Sequence, residues 1–535
     1  MLKKKVWKPL AGAFSLLALI STAVFVFSLL RVDVLPGKYL FALLALEAAA
    51  LLAAVLLLYA GMRKKRSPAR RARRVIGVLL AVLLTAGNAF AAALLLDLND
   101  LKTAVTGRRE KQIPIGVYVL SDDAAQTLAD TALYRYGVLG GFEKGHSERA
   151  LSEIEGELGT AVDAAEYAAI ADVFTALRDG EIRALAVNEN YLDLLSESES
   201  LGGFSEKLRL ICRFEVPQSA ASSGREDAMG PDGKTGGSGS SGAGALIDSL
   251  LGRKSASDGA LTLSEKIERN KCFILYLSGS DSRSSLESSG RSDVNILMVV
   301  DPGTDQILLV NTPRDYYLPN PALGGGMDKL THCGLFGADN SMAALEELYG
   351  IEIDNYCQIN FTGFEKLIDA IGGITLDNPR AFTSGSGFYF PQGVISLNGE
   401  EALSYGRERE AFGDGDLARG RNLMRLIDAM IDKAKHEGAS LVMNYSSVLS
   451  SLEGMFATDL SEAELSALVK LAIRDLSAWE VKSVGVSGSG GMMRTAAGGD
   501  VPLYVMWPDG DDVARASALI GKLMAGQIVS ENELG

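Results

Sequence analysis

Cysteine is scarce in this 535-residue chain, with four in all, and its three histidines, His146, His332 and His436, lie far apart. No C-x-x-C pair is present, so a structural zinc site has little support. An excess of positive charge is missing as well: 52 lysines and arginines face 67 aspartates and glutamates, a formal net charge of −15. That balance disfavours a nucleic-acid partner, whose phosphates require a broad basic face. Any phosphate chemistry must therefore be local. A glycine-rich phosphate cradle is also lacking, because Gly233-Lys234-Thr235 has neither the preceding strand nor the first glycine at P-loop spacing.

What the chain does have is apolar length. Hydrophobic residues make up 47% of it, and three runs stand out, near residues 10–30, 39–60 and 75–96, each close to the roughly 20 residues that cross hydrocarbon as a helix. The first run is longer than a signal peptide's apolar core, lacks a convincing small-residue cleavage site and is followed by two more spans, so it reads as an uncleaved helix. Lys3, Lys4, Lys5 and Lys8 precede it, and Arg63, Lys64, Lys65, Arg66, Arg70, Arg71, Arg73 and Arg74 lie between the second and third runs. Only Arg31 and Lys38 occupy the first loop. The positive-inside bias places the N-terminus in the cytoplasm and everything after about Asp97 outside, in a multi-pass protein of the cell membrane. The basic cluster reads as a topology determinant that also meets anionic lipid headgroups. Glu47 and Asn88 interrupt the spans. An intramembrane carboxylate is a functional candidate, but helix packing through bundle-facing polar groups is the favoured reading.

Length predicts two or three units beyond a membrane region. Residues 1–98 form the anchor of three helices. Residues 99–216 alternate strand-like runs (IPIGVYVL, YGVLG, RALAVNE, LRLICRFEV) with helical patterns at Ala150–Leu158 and Tyr167–Leu177 and a short helix at YLDLL, which indicates a small accessory α/β domain. It faintly resembles half of a periplasmic solute-binding fold, and no motif specifies a ligand. Residues 217–262 are dominated by glycine and serine and read as a flexible linker or an inserted disordered loop. Residues 263–535 form the last unit, a central mixed sheet flanked by helices. KCFILYLSGSD, VNILMVVD and QILLVNTPRD read as its strands, the third delivering Arg314 at its C-terminal end, where open α/β sheets bind ligands. Thr362 and Glu365 in TGFEKLIDAIGG suggest a capping box, Ser461 and Glu464 cap another helix, and a final helix runs from about Asp512 to Met524.

Polar residues gather in three places: Asp281-Ser-Arg283 with Arg291-Ser-Asp293; Thr312-Pro-Arg314-Asp315; and Arg407-Glu-Arg409 with Asp416, Arg419 and Arg421. A guanidinium fork grips phosphate oxygens through paired charge-assisted hydrogen bonds, and several together imply a polyanion. Carboxylates among them make sense if they hold a divalent cation, since Mg²⁺ takes oxygen ligands and bridges one or two carboxylates to substrate phosphate. Taken singly, each arginine would more often be a surface ion pair worth about 0–1 kcal/mol. On the helix beginning near Asp416, however, Arg419 shares a face with that carboxylate beside the apolar stripe Leu423, Leu426, Ile427, Met430. Charge then meets a greasy surface.

These motifs, in series, resemble the LytR-CpsA-Psr family: SGSDSR, GRSDVNILMVVDPGT, NTPRDYYLP, DKLTH, INFTGFEKLIDAIGGI, LNGEEALSYGRER and GDLARGRN follow in order between residues 271 and 433. The three-span start resembles one branch of that family, whereas the region after Lys433 fits loosely. The resemblance implies an enzyme of cell-wall biogenesis, a phosphotransferase that moves teichoic acid, capsular polysaccharide or a related glycopolymer from a polyprenyl-pyrophosphate carrier at the bilayer to peptidoglycan, with Mg²⁺ (or Mn²⁺) as cofactor. By motif, Asp281 and Asp293 would hold the metal. Arg291, Arg314, Arg407, Arg409 and Arg419 would be catalytic, binding the pyrophosphate while its lipid tail enters an apolar pocket. Arg283, Arg421 and Asn422 would be further substrate-binding residues. The alternatives are a polyprenyl-pyrophosphate hydrolase and a non-catalytic lipid-binding regulator.

One departure from the family pattern is Leu423, which stands where a glutamine is usual; Asn422, about 100° away on a helix, cannot simply replace it. Cys333 and Cys357 lie in the catalytic unit. A structural disulfide or two buried thiols is favoured there over a nucleophile, because adjacency of His332 in sequence does not set its imidazole on sulfur.

Overall fold

A computed structural model describes residues 4–33, 35–60, 68–106, 112–197, 201–217, 261–280, 290–413, 415–443 and, with short interruptions, 448–534. The glycine/serine stretch, Asp281, Arg283 and the basic residues 63–66 lie outside the described residues.

Three long helices open the chain, α1 (Lys4–Val32), α2 (Gly37–Ala60) and α3 (Pro68–Thr106). Their stretches Trp7–Val32, Gly37–Tyr59 and Ala72–Leu96 are long and apolar enough to cross a membrane. In lipid no hydrophobic force draws helices together, so close packing of small residues and interhelical hydrogen bonds must do so. Both are present. Ala11, Ala54 and Ala81 are buried with Leu58 between the helices, and a Cβ added to Gly77 would sit 2.9 Å from the Leu58 nitrogen. Phe41 and Leu83 point outward. Glu47 and Asn88 are buried, and each packs into the bundle: Thr22 Oγ1 donates to Glu47 Oε1 at 2.8 Å, and Asn88 Nδ2 donates to the same oxygen at 2.6 Å. Each helix thus contributes one polar side chain, and Thr22 is a member that hydropathy alone does not flag.

The accessory domain holds β1 (Gln112–Leu120), β2 (Arg135–Leu139), α4 (Lys144–Leu158), β3 (Asp163–Tyr167), α5 (Ile170–Asp179), β4 (Ala184–Asn188) and β5 (Leu208–Pro217). Its five-stranded sheet runs β3-β2-β4-β1-β5, with β2 parallel to β3 and β4, and β1 antiparallel to β4 and β5. Tyr167 closes β3 instead of starting a helix, and α5 ends at Gly180 in the left-handed region, φ 78°, where a residue without Cβ carries no steric penalty. Residues 189–197, expected to be a short helix, wind as a 3-10 helix. One face of the sheet buries Val173, Phe174, Leu177 and Tyr191, and Leu335, Phe336 and Ala497 of the last domain complete that core. Tyr191 and Phe336 have ring centroids 6.1 Å apart.

The last domain is built on β6 (Phe273–Ser280), β7 (Ser292–Asp301), β8 (Gln306–Asn311), α6 (Ala338–Tyr349), β9 (Asn355–Asn360), α7 (Phe361–Ala370), α8 (Gly399–Arg407), α9 (Asp416–Met443), β10 (Phe456–Thr458), α10 (Glu462–Ile473), β11 (Glu480–Gly485), the hairpin β12 (Gly488–Arg494) with β13 (Pro502–Pro508), and α11 (Gly510–Met524). Its six-stranded sheet has the order β10-β9-β6-β7-β8-β11. β9 runs parallel to β6 and β11 parallel to β8, whereas β7 opposes both neighbours. This is the expected mixed sheet. The near-continuous burial of β6 and β8 follows from helices covering both faces: Leu345, Leu519 and Ile520 pack on one side, Met424 and Leu471 on the other. Ser461 and Glu464 form their capping box, Ser461 nitrogen donating to Glu464 Oε2 at 2.8 Å. The expected box at Thr362 and Glu365 is corrected. The N-cap of helix α7 lies two residues earlier, where Asn360, at the end of β9, accepts from Gly363 nitrogen at 2.7 Å, a short amide being as good an N-cap as threonine.

Candidate active site

The C-terminal ends of the parallel strands β6, β8 and β9 and the N-terminal end of the opposing β7 meet at one sheet edge, and a cavity of ≈ 1060 Å³ opens there. Each local element has a reason to deliver its side chain. Strand β8 runs out after Asn311 into Thr312-Pro313, and proline, lacking an N–H, cannot continue the ladder. Arg314 and Asp315 therefore turn to the cavity. Asp293 is set on the opposing strand beside them, with Arg291 at its mouth. Helix α9 presents Asp416 and Arg419 one turn apart, joined at 2.8 Å, and its next turns present Leu423, Leu426, Ile427 and Met430 to the same cavity. The face foreseen from helical spacing is thus the wall of the site.

The polar end is an ordered ladder of charge. Arg314 Nη1 donates to Asp293 Oδ1 at 2.8 Å, and Arg314 Nε lies 3.8 Å from Asp315 and 3.9 Å from Asp416. Lys329 Nζ meets Asp315 Oδ1 at 2.7 Å. Arg419 Nη2 donates to the Asp293 carbonyl at 3.2 Å, and Thr331 Oγ1 to Asp293 Oδ1 at 3.3 Å. Burial would push the Asp293 carboxyl up, but Arg314, Arg419 and Arg291 outweigh it and hold the group below its ordinary value. Burial lowers Arg419, against Asp416, while for Arg314 the carboxylates of Asp293 and Asp315 overcome burial and raise it. Asp293 is thus an ionised carboxylate under a cationic canopy. Six basic side chains (Arg291, Arg314, Lys329, Arg407, Arg409, Arg419) face four acidic ones (Asp293, Asp315, Glu410, Asp416) around the cavity. Such an excess of guanidinium suits an anion with several oxygens.

The opposite end is apolar, walled by Leu277, Ile359, Phe364, Leu367, Leu403 and Phe456 with the α9 stripe. Gly406 on α8 lets Leu423 and Leu426 come close, since a Cβ there would meet Leu426 at 2.8 Å.

Of the residues proposed from sequence, Arg291, Asp293, Arg314, Arg407, Arg409 and Arg419 are brought together around this cavity. Asp281 and Arg283 lie outside the described residues. Arg421 and Asn422, two positions and one before the inward-facing Leu423 on α9, do not line it and border a second cavity of ≈ 310 Å³. Asn422 is buried there, donating to the Tyr405 carbonyl at 3.2 Å and accepting from Arg425 at 3.0 Å. Lys329, Phe361 and Tyr504 are among the lining residues that had no assigned role. Lys329 lay within DKLTH, which carried the signal; Phe361, stacked 4.4 Å under Arg407, could be read only as a helix residue; and Tyr504 comes from β13, more than 180 residues after Arg314, with its neighbour Met506 nitrogen donating to the Asp315 carbonyl at 2.7 Å.

The four cysteines are free thiols. Burial raises Cys333 well above its ordinary value and pushes Cys357 up to about 12. His332 Nδ1 is taken by Asp328 Oδ1 at 2.6 Å. Cys333 is therefore a buried thiol and Cys357 a partly buried one on the cavity wall, and neither has the tuned environment a nucleophile requires.

Residues 242–501 match the LytR_cpsA_psr family. A polyisoprenyl-teichoic acid–peptidoglycan teichoic acid transferase, TagU of Oceanobacillus iheyensis, is 33% identical over 236 residues, which cover 42% of this chain and 72% of that protein. The chain belongs to the LytR-CpsA-Psr family. TagU of Enterococcus faecalis, another relative, is 36% identical over 205 residues, covering 38% of this chain and 65% of its own length. The crystal structure of B. subtilis TagV is 24% identical and covers 49% of this chain and 99% of that one, with a TM-score of 0.40. Relatives of this LytR-CpsA-Psr chain are thus named as transferases, and the cavity described above lies within the matched region apart from Tyr504.

Proposed function

We propose that this membrane-anchored chain transfers a glycopolymer from a polyprenyl-pyrophosphate carrier to peptidoglycan by phosphoryl transfer, outside the cell. The observation that carries the reading is the join of an apolar cavity to a cluster of arginines and carboxylates, which suits a lipid with a polyanionic head and little else. The relatives' names supply the class of polymer and acceptor. The N-terminus is assigned to the cytoplasm on the distribution of lysine and arginine around the spans.

In this reading the prenyl tail lies against Leu403, Leu423, Leu426 and Met430, and Arg291, Arg314, Arg407, Arg409 and Arg419 hold the pyrophosphate oxygens. An acceptor hydroxyl attacks the sugar-bearing phosphorus, the bond to the bridging oxygen breaks, and polyprenyl phosphate leaves with that oxygen while the hydroxyl's proton passes to solvent. The arginines are already oriented by Asp293, Asp315 and Asp416, so they stabilise charge growing on the bridging oxygen without reorganising. Asp293, held below the ordinary carboxylate range, is poorly matched to proton abstraction near neutral pH and better suited to a cation. Its oxygen chemistry fits Mg²⁺, which needs only one or two carboxylates besides substrate phosphate and water, although no cluster of three acidic, histidine or cysteine ligands occurs among the described residues. Asp293, with Asp281, would hold that ion, which supplies neutralisation of the pyrophosphate charge.

The test is product analysis. Full-length protein in nanodiscs is incubated with labelled lipid-pyrophosphate-linked sugar, Mg²⁺ and peptidoglycan. Label covalently joined to peptidoglycan, and lost with Arg407→Ala, is the expected result. Label released as free sugar phosphate would replace transfer with hydrolysis, and tight lipid retention without turnover would make the chain a regulator. Transfer that survives Arg407→Ala and Asp293→Ala would remove the residue assignments.

A further inference from the structure

Strand β12 begins Gly488-Ser489-Gly490-Gly491, a composition that weakens a strand and marks places where something approaches the backbone closely. Two rings of β13 do so. A Cβ added to Gly490 would meet Tyr504 Oη first and lie 2.8 Å from the ring atoms Cε2 and Cζ, and one added to Gly491 would lie 2.6 Å from Trp507. Gly490 pairs with Met506 and Gly491 with Val505, so the two rings lie on opposite faces of the ribbon. Trp507 is engaged on its side by Tyr317, edge-on with ring centroids 6.4 Å apart. Tyr504 instead lays its inner side across Gly490 and keeps 48% of its surface exposed, and Met492, directly across the ladder from it, keeps 57%. The ribbon is pinned at both ends. Met506 nitrogen donates to the Asp315 carbonyl at 2.7 Å, and past the hairpin's tip Ala497 is buried in the core shared with the accessory domain, while a Cβ on Gly499 would lie 3.2 Å from Ala169 Cβ. Tyr504, two residues before Met506, therefore stands on the charged side of the main cavity that it lines.

We propose that the exposed sides of Tyr504 and Met492 form a platform on which a sugar ring of the acceptor glycan stacks, an assignment that rests on the function proposed above. The C–H face of a pyranose suits an aromatic face, whose quadrupole is negative, and exposed apolar surface at the rim of a polar cavity marks a binding site. Direction selects the acceptor over the donor. The prenyl tail draws the leaving phosphate toward the apolar end, and the attacking and leaving oxygens of phosphoryl transfer lie roughly in line. The acceptor hydroxyl therefore enters from the charged rim, where Tyr504 stands. The accessory domain gains a role in the same stroke: through Ala497 and Gly499 it holds the hairpin, and with it the platform, beside the reacting groups.

The experiment measures two KM values and one binding curve on the full-length protein in nanodiscs. Tyr504→Ala raises KM for peptidoglycan roughly tenfold, the reach of one aromatic stacking contact, and raises KM for the labelled lipid donor much less. Tyr504→Phe, which keeps the ring, stays near wild type. Co-sedimentation with insoluble peptidoglycan stripped of attached polymer needs no turnover, and Tyr504→Ala weakens it by a similar factor. Melting temperatures taken alongside separate lost binding from lost folding, and a half-exposed side chain is a mild place to truncate. A donor KM that rises more than the peptidoglycan KM overturns the acceptor as occupant. Wild type that transfers label to peptidoglycan, with peptidoglycan KM and sedimentation unchanged in Tyr504→Ala, removes the platform and keeps the proposed function; wild type that sediments with peptidoglycan through Tyr504 but transfers nothing does the reverse.

Discussion

Arg314 donates to Asp293 at 2.8 Å where both side chains are largely shielded, with 18% and 10% of their surface exposed. Because removing one partner of such a pair strands the other charge, each single truncation is destabilising by about 3–5 kcal/mol, whereas replacing both is far milder. Arg314→Leu and Asp293→Asn should therefore each lower the melting temperature more than the double variant does relative to their sum. A double-mutant cycle by denaturant unfolding measures this, and strict additivity would mean the two side chains do not couple.

The same pair sets a pH dependence whose sign is fixed. Burial raises Asp293 and Arg314, Arg419 and Arg291 lower it further than burial raises it. A carboxyl depressed in the folded state contributes stability that is complete above its unfolded value, about 3.9, and is lost as pH falls through the folded value. The stability advantage of wild type over Asp293→Asn should be flat above about pH 5 and shrink below it. In an Arg314→Leu background the shrinkage should be smaller, because without that guanidinium the folded value moves back toward the unfolded one. Unfolding free energies measured from pH 7 downward decide the matter, and an advantage that grows on acidification would reverse the assignment.

Leu423 carries the departure from the family pattern into the cavity wall, where it packs near Gly406. Leu423→Gln places an amide between the apolar and cationic ends. It should tighten binding of the pyrophosphate head several-fold while lowering stability by about 1–3 kcal/mol, the usual consequence of a polar group on a buried apolar face. KM for the lipid substrate and the melting temperature should fall together. A higher KM would show that leucine is the better fit for this chain's own substrate.

How much of this was legible in the sequence depends on distance along the chain. The apolar runs, the strand that leads into Arg314 and the Asp416–Arg419 face are local patterns, and local spacing fixes them. Tyr504 and Phe361 are not local in that sense: the first reaches the cavity only because β13 returns beside Asp315, and the second because Arg407 on α8 lies over it. Arg421 and Asn422 were drawn toward the site by nearness to Arg419, but a helix turns about 100° per residue, and their directions lead to the second cavity. The Thr362 box failed for a similarly short-range reason, since Asn360 is an equally good cap two residues earlier.

Cys333 and Cys357 offer a chemical check on the absence of thiol catalysis. With Cys357 pushed up to about 12 by burial and Cys333 raised well above its ordinary value, almost no thiolate exists at neutral pH. Iodoacetamide should leave native protein fully active and label these positions only after unfolding, and Cys333→Ala should keep transfer at the wild-type rate, with a modest loss of stability from the cavity it creates. Rapid inactivation by the reagent, prevented by Cys333→Ala, would return the thiol to the mechanism.

The polar triad in the membrane makes a last prediction, because its members come from three different helices. Thr22 and Asn88 both reach Glu47 Oε1, at 2.8 and 2.6 Å, and Asn88 also reaches Thr22 Oγ1 at 3.0 Å. Interhelical hydrogen bonds in bilayers average about 0.6 kcal/mol and reach about 1.7 kcal/mol, so one bond is weak and a shared node is not. Glu47→Gln keeps an acceptor oxygen for both partners and should unfold in detergent close to wild type. Glu47→Leu leaves Asn88 and Thr22 to satisfy each other and should lose about 1–2 kcal/mol, with more α2 dissociation seen by cysteine crosslinking between α2 and α3. If the two variants behave alike, the buried carboxylate does not organise the bundle, and a role for it at the lipid face becomes the reading to pursue.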